Sequence, residues 1–161
     1  MKDILSLARG YPRRAVERGE ALLVDGAPVG ALYVLVEGAL RVEKHGVAIT
    51  TVREPGACVG EMSLLLAVPA TADVVASERA TVAVVDDAPA ILATDPRLAR
   101  ALAQLLAARL HAMTTYLADL KRQYADHEGG LGMVDVVLDR LMGTTGERTQ
   151  LGSVRDPEPE D

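Results

Sequence analysis

The sequence contains no Phe and no Trp, and its only aromatic residues are four Tyr. Any buried core must therefore be assembled from Leu, Val, Ala, Ile and Met. A single cysteine, Cys58, rules out an internal disulfide framework and a cysteine-ligated metal cluster, and it points to a reducing compartment. The three histidines, His45, His111 and His127, lie far apart without metal-ligand spacing. That disfavours the metal-binding cupins, a β-roll-like class that needs clustered histidines with a carboxylate. No Gly-x-Ser-x-Gly, P-loop or kinase signature occurs. Cys58 has no His near it in sequence, so it reads as a small buried apolar residue and not a nucleophile. No catalytic residue, metal or cofactor is expected. No stretch approaches about 18 uninterrupted apolar residues, and the opening MKDILSLARGYPRR lacks the apolar centre of a secretory signal. These absences predict a cytoplasmic protein without a membrane segment. Positive charge is also scarce: 17 Lys and Arg against 23 Asp and Glu leave a net −6. General affinity for nucleic acid rests on clustered Lys and Arg, so DNA is not an expected partner.

What is present is a chain of 161 residues, 49% apolar and 25% charged, long enough to bury one proper core. Residues 1–18 read as one or two short helices with Tyr11-Pro12 as the break. From Gly19 to Val85 the punctuation is glycine, at 19, 26, 30, 38, 46, 56 and 60. Between these lie Ala31-Leu32-Tyr33-Val34-Leu35-Val36, Leu40-Arg41-Val42-Glu43 and Val47-Ala48-Ile49-Thr50-Thr51-Val52. Short strands at such spacing predict a small antiparallel sandwich or barrel, with His45-Gly46 as a hairpin turn.

After Ala88-Pro89 the period changes. From Asp95 to Asp126 there is no Gly, and the only Pro is Pro96, beside an N-cap at Asp95. Leu106, Leu110, Met113, Leu117, Leu120 and Tyr124 are spaced four, three, four, three, four. That is an a/d seam, which packs either on the β-domain's own surface or on a second chain. Its length favours a homodimer through the 98–124 helix. Gly129-Gly130 then stops the helix, Met133 to Met142 reads as one further short helix, and the polar, acidic remainder reads as disordered. The expected division is 1–94 for N-terminal helices and roll, 95–126 for the long helix, 127–142 for a short helix and 143–161 for the tail.

The series GEALLVDGAPVGALYVLVEGALRVEKHGVAITTVREPGACVGEMSLLLAVPATADVVASERATVAVVD resembles the cyclic nucleotide-binding domain family, over roughly residues 15–125. The resemblance rests on Gly30 before Leu32-Tyr33-Val34, on Gly38 and Gly46 at hairpin positions, and on Gly56, Gly60-Glu61 and Pro69 in order. It implies an α+β fold: a small antiparallel β-roll with short N-terminal helices, a phosphate-binding-cassette helix and a long C-terminal helix. In that family the segment from Gly60 to Pro69 is the cassette that holds the cyclic phosphate. By the resemblance, Gly60 permits close backbone approach, and Met62 and Ser63 offer backbone N–H groups at a helix start. Glu61 accepts from the ribose 2′-OH. Leu64 and Leu65 anchor the turn in the roll. The family's cassette continues Pro-Arg, whereas this chain has Pro69-Ala70, so Ala70 stands at the arginine position. Thr71 follows, where a hydroxyl can bond the phosphate and, in cyclic-GMP-selective members, the guanine. Arg53, Arg79 or Arg109 could supply the missing charge, and Asp73 would oppose the phosphate if it faced the pocket. The long helix lids the pocket in the family, which makes Thr115, with Thr114 and Tyr116, candidates to face a base.

Past Tyr124 too little chain follows for the winged helix-turn-helix of Crp-type regulators. The expected function is therefore a cyclic AMP or cyclic GMP sensor acting in trans through a partner protein. The alternative is a scaffold of the same fold that dimerises or docks without a nucleotide.

Overall fold

Pro12 ends the N-terminal helical segment, since it removes a backbone donor and pushes the residue before it out of the α region. The computed structural model describes residues 2–123 and 132–142. The first helix, α1 (Lys2–Leu7), runs into a single 3₁₀ turn, Ala8–Gly10, and Tyr11 is extended, with ψ 152°. Residues 13–16, expected to be helical, form instead the strand β1 (Arg13–Val16). Its partner decides this: Arg14 pairs with Val82 and Val16 with Ala80, and Val16 is fully buried. A four-residue stretch has no periodicity long enough to reveal such a long-range choice.

Seven further strands follow: β2 (Ala21–Leu23), β3 (Ala31–Glu37), β4 (Leu40–Lys44), β5 (Val47–Val52), β6 (Cys58–Val59), β7 (Asp73–Ala76) and β8 (Ala80–Asp86). They form two antiparallel four-stranded sheets, ordered β1-β8-β3-β6 and β2-β7-β4-β5. The β4–β5 hairpin turns at His45-Gly46, with φ of 51° and 76°, as a two-residue turn with both central residues left-handed requires. Gly38 is demanded more strictly. Its φ is +89°, and a Cβ there would lie 2.4 Å from the Arg79 carbonyl oxygen.

The continuous apolar run of β3 is explained by burial on both faces. Tyr33 and Leu35 turn into the roll with Val16, Leu40, Val74 and Val82. Leu32 and Val34 face the other way, into a second cluster with Ile4, Ala83, Val85, Leu98, Leu102 and Leu105. Helix α4 (Pro96–Gln123) supplies Leu98, Ala101, Leu102 and Leu105, an i, i+3, i+4, i+7 stripe. Each fully buried leucine contributes about 1.5–3 kcal/mol, so this stripe fixes the start of α4 on the roll. Asp95 caps it, its Oδ1 accepting from the N–H of Arg97 at 3.0 Å and of Leu98 at 3.4 Å. A separate helix, α3 (Ala88–Thr94), precedes it.

The chain divides into two compact units, Met1–Arg109 and Leu110–Asp161. The second contains the end of α4 and the helix α5 (Gly132–Met142). Within it Leu110, Met113 and Tyr116 are 46%, 56% and 63% exposed. Tyr124, Gly129-Gly130 and the 143–161 tail lie outside the described residues.

Candidate functional site

Between β6 and β7 the chain builds a short helix, α2 (Glu61–Leu66), entered through Gly60. Gly60 has φ +91°, and a Cβ there would meet the Ala31 carbonyl oxygen at 3.1 Å and Val29 at 3.4 Å. The glycine is thus required by the protein's own packing as well as by a left-handed turn. Glu61 follows at 4% exposure. A buried carboxylate must be paired, and its partner is Arg109, whose Nη1 bonds Glu61 Oε1 while Nη2 donates to the Cys58 carbonyl at 2.9 Å. Arg109 therefore ties α4 to both β6 and α2. Its own side chain is 41% exposed, so one side of the guanidinium meets water.

On α2, Leu64 packs against the helix-side core and not in the roll interior where it was expected. Leu65 is 50% exposed, sharing an outward face with Met62 and Leu66 at i, i+3 and i+4. Ser63 is buried, and its carbonyl accepts from the N–H groups of Ala67 and Val68. Ala67 closes the helix at φ 53°, a left-handed conformation that costs a non-glycine residue about 1–2 kcal/mol.

The cassette's return strand is clamped at Ala70. The residue is 4% exposed, its N–H donates to the Ala27 carbonyl, and its carbonyl accepts from Gly26, both at 2.8 Å. Thr71 is exposed, and its carbonyl accepts from Lys44 Nζ at 2.5 Å. Asp73 stands opposite Glu43 in the β4–β7 register and accepts from the Asp25 N–H at 2.8 Å. The next residue, Val74, is the one buried in the roll, so Asp73 sits on the outer face and does not oppose an anion inside. Thr115 lies on α4 in the second unit, exposed, and the neighbouring Thr114 hydroxyl donates to its own helix at Leu110.

The Cys58 thiol is buried, and its pKa is pushed up to about 12, chiefly by desolvation and next by the Glu61 charge. It is therefore no nucleophile at neutral pH. Among the described residues no three His, Cys, Asp or Glu side chains gather as a metal site, and no helix is long and apolar enough to cross a membrane.

The family model of the cyclic nucleotide-binding domain matches residues 13–104, which is more than half of the chain. The chain belongs to the cyclic nucleotide-binding domain family. Its fold agrees with solved members and relatives. The catabolite activator protein of Thermus thermophilus is similar with a TM-score of 0.60 and 29% identity, over 75% of this chain and 60% of that one. A cyclic nucleotide-binding domain from Methylobacillus flagellatus KT gives 0.56 and 26%, over 69% and 78%. By sequence, a Rhodopseudomonas palustris relative carrying the name "Putative potassium channel protein" is 29% identical over 130 residues. This chain spans 31% of that relative's length and 60% of the activator's.

Within this cyclic nucleotide-binding domain Gly60, Glu61, Met62, Ser63, Ala70 and Thr71 lie on one continuous loop, and Thr115 belongs to the second unit. Of the three arginines considered for the charge missing at Ala70, Arg53 pairs with Glu78 at 3.2 Å and Arg79 with Glu17 at 3.4 Å. Arg109 reaches the cassette but is held by Glu61. Lys44, not among the residues singled out from the sequence, also reaches this loop through the Thr71 carbonyl. It ends β4, where the pairing with β5 shifts register after Val42.

Proposed function

We propose that this chain is a regulatory sensor that takes cyclic AMP or cyclic GMP in its β-roll and acts in trans through a partner protein. The observation that carries the reading is Glu61. A position at 4% exposure is an unusual one for a carboxylate. An apolar side chain there would avoid the desolvation penalty of the Glu61–Arg109 pair. A carboxylate kept at the family's ribose position is accounted for by a ligand hydroxyl. Cassette and long helix meet at this pair, so a ligand that engages Glu61 shifts the balance between positions of α4. The exposed Leu110, Met113 and Tyr116 supply an apolar face for a homodimer through the 98–124 helix. No catalytic role is part of this reading, and the sensor works in the cytoplasm.

Two observations favour the second reading, a scaffold without ligand: Ala70 carries no charge, and Arg109 already satisfies Glu61. Thermal unfolding separates the two. A ligand at about 100 times its Kd stabilises by about 2.7 kcal/mol, which moves the midpoint of a chain this size by about 5–10 °C. A rise of that order with cyclic AMP or cyclic GMP, clearly smaller with the matching nucleoside, supports the sensor. No rise with either at millimolar concentration leaves the scaffold.

A further inference from the structure

We infer that Lys44 is the residue that meets the ligand's anionic phosphate, filling the role that Ala70 leaves empty. The inference rests on the sensor reading. Lys44 ends β4, the strand that carries Leu40 to the roll's core, and its ammonium lies 2.5 Å from the carbonyl of Thr71. Thr71 directly follows Ala70, so a cation from a neighbouring strand stands beside the position where the family places its arginine. Among the described residues this ammonium has no carboxylate partner. Glu43 is bound to Arg41, and Asp73 accepts from the Asp25 N–H on the outer face.

The competing cations are committed. Arg53 and Arg79 are paired with Glu78 and Glu17 at exposed positions. Arg109 cannot move to an anion without stranding a buried carboxylate. Lys44 gives up at most one bond to a neutral carbonyl. Its three donors allow it to keep that bond and take a phosphate oxygen as well. An ammonium is a point charge and not a fork, so the contact reads the presence of negative charge more than the geometry of two oxygens.

The test is calorimetric titration of the wild-type chain, Lys44→Ala and Lys44→Arg with cyclic AMP, adenosine, cyclic GMP and guanosine. A charge-assisted contact gives the nucleotide a preference over its nucleoside of roughly 10- to 100-fold. Lys44→Ala is expected to collapse that ratio towards one while nucleoside affinity stays unchanged, and Lys44→Arg to keep most of it. A Lys44→Ala protein that keeps the wild-type ratio overturns the inference. So does one that loses nucleotide and nucleoside affinity alike, because the lysine would then only hold Thr71 in place. A wild-type chain that binds none of the four overturns the sensor reading, and the inference with it.

Discussion

Replacing Arg109 with Ala tests whether the buried pair is the joint between the long helix and the cassette. The substitution removes two hydrogen bonds, to Glu61 and to the Cys58 carbonyl. It also leaves the Glu61 carboxylate uncompensated at 4% exposure. Breaking one side of a fully buried pair costs about 3–5 kcal/mol. Because the Arg109 side chain is 41% exposed, water already screens one side, which places the expected loss near the lower bound, about 3 kcal/mol. Against a typical total of about 5–15 kcal/mol that is a large fraction. Urea unfolding followed by circular dichroism reads it directly. With a slope near 2 kcal/mol per molar, the midpoint falls by about 1.5 M at unchanged slope. The sign of the second substitution is more diagnostic than the size of the first. Adding Glu61→Gln removes the stranded charge, so the double variant should be more stable than Arg109→Ala alone. A single variant that loses under about 0.5 kcal/mol, or a double variant less stable than the single, would refute the reasoning.

Gly38→Ala is expected to lose more than about 2 kcal/mol, since it combines a left-handed residue with a clash on backbone atoms; a loss below 1 kcal/mol by denaturant titration would count against the stated hairpin geometry. The Cys58 thiol should be inert to a disulfide reagent at pH 8 in the folded protein and react only on unfolding. Its folded pKa, about 12, lies above the unfolded value of 9.0. Above pH 9 the unfolded chain therefore releases a proton that the native state retains, so stability should fall as pH rises from 9 towards 12. A native thiol that reacts at the rate of a free one contradicts this. Met113→Glu, at a position 56% exposed on α4, should turn a homodimer into a monomer in light scattering, and so should Leu117→Glu. A variant that stays dimeric would refute pairing through this seam.

Much of the roll was legible because its signals are local. Glycines at 38, 46, 56 and 60 all adopt positive φ, and the three quoted runs became β3, β4 and β5. Asp95-Pro96 marked the start of α4 through cap chemistry that acts within one turn. Features set by distant partners were not legible. β1 is a strand because β8 lies beside it, and Arg13–Val16 alone shows no period. The Glu61–Arg109 pair joins residues 48 positions apart, and no spacing rule links them. Leu65 was expected inside with Leu64, but on a six-residue helix adjacent residues are about 100° apart, and only one can face the core.

The central claim is that the Gly60–Thr71 loop binds a cyclic nucleotide through Glu61, and calorimetric titration of the wild-type chain beside Glu61→Ala tests it most directly. Micromolar binding of cyclic AMP or cyclic GMP that is lost in Glu61→Ala, with the variant still folded by circular dichroism, is the predicted result. No heat from either nucleotide up to millimolar concentration, or the same affinity in Glu61→Ala, would contradict it.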